Sequence, residues 1–424
     1  IASYADTDGS YSKKFDFGSD FSLNLDWDIR WVKGLKAVFW GNYRLGSNRS
    51  KYWTRYVPTY NEDGTEVTTS KPSLTINQGY NWTYEFNTGL KYDNSFGKHN
   101  VSVGMFYNQR ENYSESVGGT RINYYTTIDQ LFAGPSDGQT NGSSAGEGGR
   151  LGYVGTVSYD YDGKYLFSAS CRYDGNDGFA KGHRWGLFPS VSAGWRVTEE
   201  DFWKSSSLSQ LFDNLKIRAS YGVLGNQNIG LYPYQQTYSL GYNYPLGNPS
   251  SLQSGAIQAI YNNQDITWEK TAITDIGLDF SLWKGHFSGT IDYFYKYTSD
   301  ILAPVEVTDI MGRSVGQSNV GAVSNKGIEV NLTYNGHIGK DFQFSISPNF
   351  TWVKNAVEKL ANGAKEEINN GRIVGQPIGI IYGYKTDGLF VDQAEIDNAP
   401  GQLISKSGIK PGYVKYKDIS GPDG

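Results

Sequence analysis

Residues 20–31 read D-F-S-L-N-L-D-W-D-I-R-W: Phe21, Leu23, Leu25, Trp27, Ile29 and Trp31 alternate with Asp20, Ser22, Asn24, Asp26, Asp28 and Arg30. Successive side chains of an extended chain point to opposite faces, so this stretch carries one apolar and one polar face. It runs about twice the ~5–6 residues usual for a soluble strand. It fits the ~9–11 residues of a strand that crosses a bilayer. The segment therefore reads as a transmembrane β-strand, apolar toward lipid and polar toward a wet interior.

The alternation recurs along the chain. Leu35, Ala37, Phe39, Tyr43 and Leu45 share one face, as do Trp82, Tyr84, Phe86, Leu90 and Tyr92. Val101, Val103, Met105 and Tyr107 follow, then Leu151, Tyr153, Val157, Tyr159 and Tyr161, which meet Tyr165, Phe167, Ala169, Cys171 and Tyr173 across an Asp162-Gly163-Lys164 hairpin signal. Further apolar series occupy residues 185–197, 215–221, 276–282, 287–297, 328–334 and 342–352. The template count is roughly twelve strands. Beyond Asn355 the pattern weakens, with one more strand expected at residues 380–384. The apolar series carry no charge, and a Lys or Arg facing lipid at mid-depth costs ~2–4 kcal/mol. Short connections alternate with long polar ones, such as residues 46–79, 111–149 and 222–268, as between the two ends of an outer-membrane barrel. Trp31, Trp82, Tyr92, Tyr161, Tyr173, Trp185, Tyr297 and Trp352 fall near strand ends, where an interfacial girdle would lie. The fold class is accordingly all-β, a transmembrane antiparallel β-barrel.

Composition agrees. The 424 residues include 33 Tyr, 20 Phe, 11 Trp and 52 Gly, with 4 His, 2 Met and 1 Cys. Mean hydropathy is −0.52, an average in which two opposed faces cancel. No run of about 18 apolar residues is present, which excludes a helical span. The net charge of −5 argues against a nucleic-acid partner, which calls for a basic surface. Cys171 lies on an apolar face and reads as a small hydrophobe. Ile1 starts in mid-pattern and residues 420–424 read as an unfinished turn, so the chain is expected to be part of a longer protein with its export signal upstream.

Several blocks carry a resemblance. They are Y-D-Y-D-G-K-Y-L-F-S-A-S-C-R-Y-D at residues 159–174, F-A-K-G-H-R-W-G-L-F-P-S-V-S-A-G-W-R at 179–196, L-K-I-R-A-S-Y-G-V-L-G-N-Q-N-I-G at 215–230 and N-V-G-A-V-S-N-K-G-I-E at 319–329. Residues 268–271, 274–280, 292–302, 383–390 and 411–418 add to them. Together they resemble the SusC/RagA-type TonB-dependent transporters of Bacteroidetes outer membranes, over residues 80 to the end. The resemblance implies a 22-stranded barrel with an N-terminal plug, of which residues 1–424 are a partial barrel domain. It implies import of oligosaccharides or peptides with energy delivered by TonB through an N-terminal region not contained in these residues. It also implies a SusD-like surface lipoprotein over the extracellular mouth. The family's acidic turn N-G-D-G is replaced here by Ser420-Gly421-Pro422-Asp423-Gly424, which departs from a calcium-loop pattern at Pro422.

No catalytic constellation, cofactor fingerprint or metal-ligand spacing stands out, and the chain reads as a non-enzyme. His99, His286 and His337 sit in short Gly-containing turns and His183 in a loop, which suits solvated turn residues. Asp6-Thr7-Asp8-Gly9 lacks the later acidic ligand of a calcium loop. Candidate contacts with cargo or partner are loop aromatics, whose flat rings suit stacking on sugars or packing against a protein: Trp53, with Tyr52, Tyr56 and Tyr60 beside it; Tyr124 and Tyr125; and Tyr232, Tyr234, Tyr238, Tyr242 and Tyr244. Asp26, Asp28, Arg30, Glu85 and Arg218 read as lining the wet interior or meeting a plug. The competing readings are a passive outer-membrane porin or adhesin and a soluble carbohydrate-binding β-protein. The soluble alternative requires the apolar rings to meet across stacked sheets.

Overall fold

The computed structural model describes residues 9–56, 58–67, 71–247, 251–258, 260–305, 310, 312–399, 408–417 and 419. It divides into two units, Ile1–Lys354 and Asn355–Gly424. Asp6, Thr7, Asp8 and the 420–424 turn lie outside the described residues.

The first unit is built on one sheet of thirteen strands taken almost wholly in chain order. These are β1 Tyr11–Asp28, β2 Leu35–Thr54, β3 Ser73–Phe96, β4 His99–Ile122, β5 Thr140–Tyr161, β6 Tyr165–Asn176 and β7 Trp185–Arg196. They continue as β8 Phe212–Asn226, β9 Glu269–Leu282, β10 Phe287–Pro304, β11 Gln317–Ile338, β12 Phe342–Ile346 and β13 Asn349–Lys359. β12 and β13 both pair with β11. The single strand expected over residues 342–352 is split at Pro348, whose ring nitrogen has no hydrogen to give the ladder.

Registry turns the alternation of each strand into continuous rows. Val101, Tyr159, Phe167, Ala193, Ala219, Ile276, Tyr293 and Ile328 are successive partners from β4 to β11. One residue away, Ser102, Ser158, Ser168, Ser192, Ser220 and Asp275 form the matching row on the other face. The apolar face is bare: Phe21 is 64% exposed, Met105 68% and Ile276 54%. Among the described residues no second sheet covers it, so the packed sandwich required by a soluble reading is not what the chain builds.

Aromatic rings border this face at two levels. Phe39, Phe86, Tyr107, Tyr153, Trp185 and Tyr173 form a chain of ring contacts with centroids 4.5–6.4 Å apart across β2 to β7. Toward the other end, His99, Tyr161 and Tyr165 make a second chain. On β5 the two levels are set by Tyr153 and Tyr161, eight residues or about 26 Å apart along the strand. An outer-membrane barrel's apolar band is about 25 Å tall.

Three further sequence expectations are corrected. β1 ends at Asp28, and Ile29, Arg30 and Trp31 belong to a turn closed by the Ile29 N–H donating to the Leu35 carbonyl at 2.9 Å. That turn needs Gly34, at φ +86°, because a Cβ there would overlap the Asp93 carbonyl. Second, β2 to β5 run 20–24 residues, far into the stretches expected as loops at 46–79 and 111–149. There alternation fades because both faces are wet, while polar cross-strand pairs hold the ladder: Thr75 with Thr120 at 2.8 Å, and Ser116 with Ser144 at 2.8 Å. Third, residues 380–384 form no strand; the pairing is Thr386–Leu389 with Val414–Tyr416.

The second unit gathers Phe390, Ile396 and Ile409 into a small core. Its short helix Gln393–Asn398 starts at Asp392, whose Oδ1 accepts from the Glu395 N–H at 2.8 Å.

Candidate functional site

An antiparallel meander places every second connection at the same end. The connections at 55–72, 123–139, 177–184, 227–268 and 305–316 therefore share the end reached by the long strand extensions. Two apolar clusters anchor them. Trp53, Leu74 and Tyr124 are buried together, with Trp53 and Tyr124 edge-to-face at 5.0 Å. The Lys51 ammonium, 2.6 Å from Asp129, and the Tyr11 hydroxyl hold the Asp129 carboxyl below the usual carboxylate range and tie its loop to β1 and β2. Phe179, Phe188, Ile266 and Trp268 form the second cluster, and the Trp268 indole donates to the Arg184 carbonyl at 3.0 Å.

On the polar face beneath these loops lies a cavity of about 580 Å³. Its walls include Glu85, Asn87, Asn108, Arg150, Arg172 and Asp174. Glu85, Arg110, Arg150 and Asn176 stand on one transverse row of β3 to β6. Arg172 grips Asp174 with two bonds of 3.0 Å, and Arg110 stands 3.9 Å from Glu85. Arg150 is exposed and, among the described residues, has no carboxylate at ion-pair distance. The cavity thus offers an unspent guanidinium, side-chain amides and carboxylates, suited to a multiply hydrogen-bonding solute.

Farther along the same face, Arg218 joins three strands. Its Nη1 lies 3.0 Å from Asp275 and its Nε 2.9 Å from Asp279, while its Nη2 meets Asp292. Lys216 adds a contact of 3.3 Å to Asp279. Gly277, between Arg218 and Asp292 in register, leaves the guanidinium room to cross β9. Among the described residues no group of His, Cys, Asp or Glu is arranged to hold a metal ion.

The loop aromatics are dispersed. Trp53 and Tyr124 are each 6% exposed and spend their rings on one another and Leu74; Tyr125 is 88% exposed beside them. Tyr232 and Tyr234 pack edge-to-face at 6.3 Å, whereas Tyr238, Tyr242 and Tyr244 are exposed farther along the loop. Tyr232 stands at φ +45°, and its hydroxyl donates to Asp177 Oδ2 at 3.1 Å. Burial, reinforced by the Asp177 charge, pushes the Tyr232 phenol up to about 12. Because the folded value lies above the unfolded ~10, this contact stabilises the loop below pH ~10 and is lost as pH rises through about 12. Asp177→Asn should lower the Tyr232 midpoint toward ~10, read as the difference in phenolate absorbance between otherwise identical chains with Tyr232 and with Tyr232→Phe.

Arg150, Arg172 and Asp174 were not singled out by sequence. The available signal was their placement at the polar positions of β5 and β6; what assembled them was register.

The family profile described as "TonB dependent receptor-like, beta-barrel" matches residues 2–401. Among curated proteins, TonB-dependent receptor P39 of Formosa agariphila is 35% identical over 235 residues, 55% of this chain and 22% of that protein. TonB-dependent receptor SusC of Bacteroides thetaiotaomicron is 29% identical over 321 residues, 71% of this chain and 30% of SusC. The chain thus spans about a quarter to a third of these relatives. Among solved structures, the RagAB peptide importer in its open-open state superposes with TM-score 0.80 at 20% identity, covering 96% of this chain and 44% of that one.

Proposed function

This chain belongs to the TonB-dependent receptor β-barrel family of the outer membrane, and from that premise we propose that it supplies a large part of the wall of an energised importer. In this reading, the cargo is an oligosaccharide or peptide. TonB delivers the energy through a region outside this chain, and a SusD-like lipoprotein closes the extracellular mouth. The process is transport, with no covalent bond made or broken.

The observation that carries the reading is the opposition of the two faces. Uncovered apolar rows between two aromatic levels suit contact with lipid, and the rows between them carry serines, amides and paired charges suited to water and solute. Arg150 and its neighbours lie at the loop end, where incoming cargo arrives. The exposed Tyr238, Tyr242 and Tyr244 remain candidates for contact with cargo or the lipoprotein.

The test uses the full-length protein in its native outer membrane. Deleting its gene should abolish growth on one class of oligosaccharide or peptide, and a tagged copy should co-purify a surface lipoprotein. Arg150→Ala should weaken cargo binding by about tenfold while leaving detergent extraction and heat-modifiable migration unchanged. Growth unaffected by deletion on every oligomer tried, with passive solute leakage through the purified protein, would support a porin instead.

A further inference from the structure

One connection at the short-turn end differs from its neighbours. Tight turns of two to six residues close that end at 29–34, 97–98, 162–164, 283–286 and 339–341, whereas β7 and β8 are joined by the longer segment 197–211. The start of this segment is pinned to the apolar face. Glu200 Oε1 accepts from the Tyr165 hydroxyl at 2.6 Å and from the Trp195 indole N–H at 3.1 Å, and its Oε2 lies 3.5 Å from the Lys164 ammonium. Tyr165 and Trp195 are register partners on the face of the bare hydrophobic rows. A helical turn, Asp201–Lys204, then brings the Phe202 ring to 6.5 Å from Trp195 and leaves Phe202 60% exposed. The far end of the segment is tied to the next turn, where the Trp283 N–H donates to the Leu211 carbonyl at 3.2 Å.

In the row of Tyr165 and Trp195 the aromatic rings stop at Trp195, and the partners beyond it are Ile217, Leu278 and Ile291. Phe202 extends that level from outside the sheet. Two acids near it are paired, Glu200 with Lys164 and Glu199 with Lys204 at 3.2 Å. Asp201 and Lys204 are exposed on either side of it. An exposed ring with charged neighbours, at an aromatic level of the lipid-facing surface, suits the boundary between acyl chains and headgroups. A protein partner would have to displace lipid to reach it. We propose that residues 197–211 anchor the wall in the periplasmic leaflet, with Phe202 inserted among the phospholipids and Glu200 as the clamp that holds it there. This rests on the membrane reading above, in which short turns mark the periplasmic side.

A nitroxide label reads the depth in phospholipid vesicles. It is attached to Cys171, to Phe202→Cys or to Asp63→Cys, each as the single cysteine of the full-length protein. Cys171 lies between Tyr165 and Tyr173 on the apolar face and marks lipid, whereas Asp63 is exposed in the loop 55–72 and marks water. The ratio of oxygen to water-soluble nickel-chelate accessibility at position 202 should lie several-fold above that at 63, toward the value at 171. Glu200→Ala should return it to the value at 63, with the Cys171 reading and heat-modifiable migration unchanged. Three results overturn the proposal: position 202 reading as water in the parent chain, position 202 shielded from both reagents by a covering protein, or no response to Glu200→Ala. A water-like reading at Cys171 would instead bring down the membrane assignment itself.

Discussion

Val157→Arg should destabilise the protein in a bilayer by about 2–4 kcal/mol, whereas Ser158→Arg, one residue along the same strand, should cost no more than ~0.5 kcal/mol. Val157 lies midway between Tyr153 and Tyr161 on β5, on the bare apolar face, and is 41% exposed. In water that exposure would make it an ordinary surface position. In lipid it places a guanidinium at the depth where no water can solvate it. Ser158 is also exposed, but it sits on the polar row, where its hydroxyl meets Ser168 at 3.3 Å and a new cation finds water and nearby carboxylates. Urea unfolding of the refolded full-length protein in phospholipid vesicles measures both. Equal costs at the two positions would mean that the two faces see the same solvent, and the membrane reading would fall with that result.

Arg218→Ala should cost roughly 3 kcal/mol, because removing one partner of a largely buried ion cluster leaves its counter-charges unpaired. The loss centres on Asp292, whose residue is 8% exposed and whose charge is compensated by Arg218 alone among the described residues. Asp275 and Asp279 keep more access to water, and Asp279 keeps Lys216. Arg218→Ala combined with Asp292→Asn should therefore recover a good part of the loss, a coupling that a double-mutant cycle reads directly. Gly277→Ala offers an independent route to the same defect. A methyl there would overlap the Asp292 carboxylate and stand 2.5 Å from Arg218 Cζ. Its midpoint should shift in the same direction with Arg218 and its three aspartates all still present.

Arg218 also shows where sequence reading stops. Its place on the wet face follows from the alternation of residues 215–221, but its three aspartates lie 57 to 74 positions away in the chain. Nothing local pairs them. The same holds for Trp53 and Tyr124, which resemble exposed loop aromatics until Leu74 of β3 is seen packed with them. Strand ends were misplaced for a different reason. The sequence signal is contrast between faces, and that contrast vanishes where β2 to β5 rise beyond lipid and both sides meet water.

What the sequence determined by itself is the solvent of each face. A period of two, sustained over long segments with uncharged apolar positions, specifies an apolar environment on one side and water on the other, and strands of this length favour lipid over a second sheet. The Asp162-Gly163 turn was equally local, since φ values of +56° and +67° are set by what those residues tolerate. Tertiary structure alone decided which polar side chains become neighbours. Cross-strand register joins residues far apart in sequence, and a shift of one position would have turned Arg150, Arg172 and Arg218 toward the hydrocarbon.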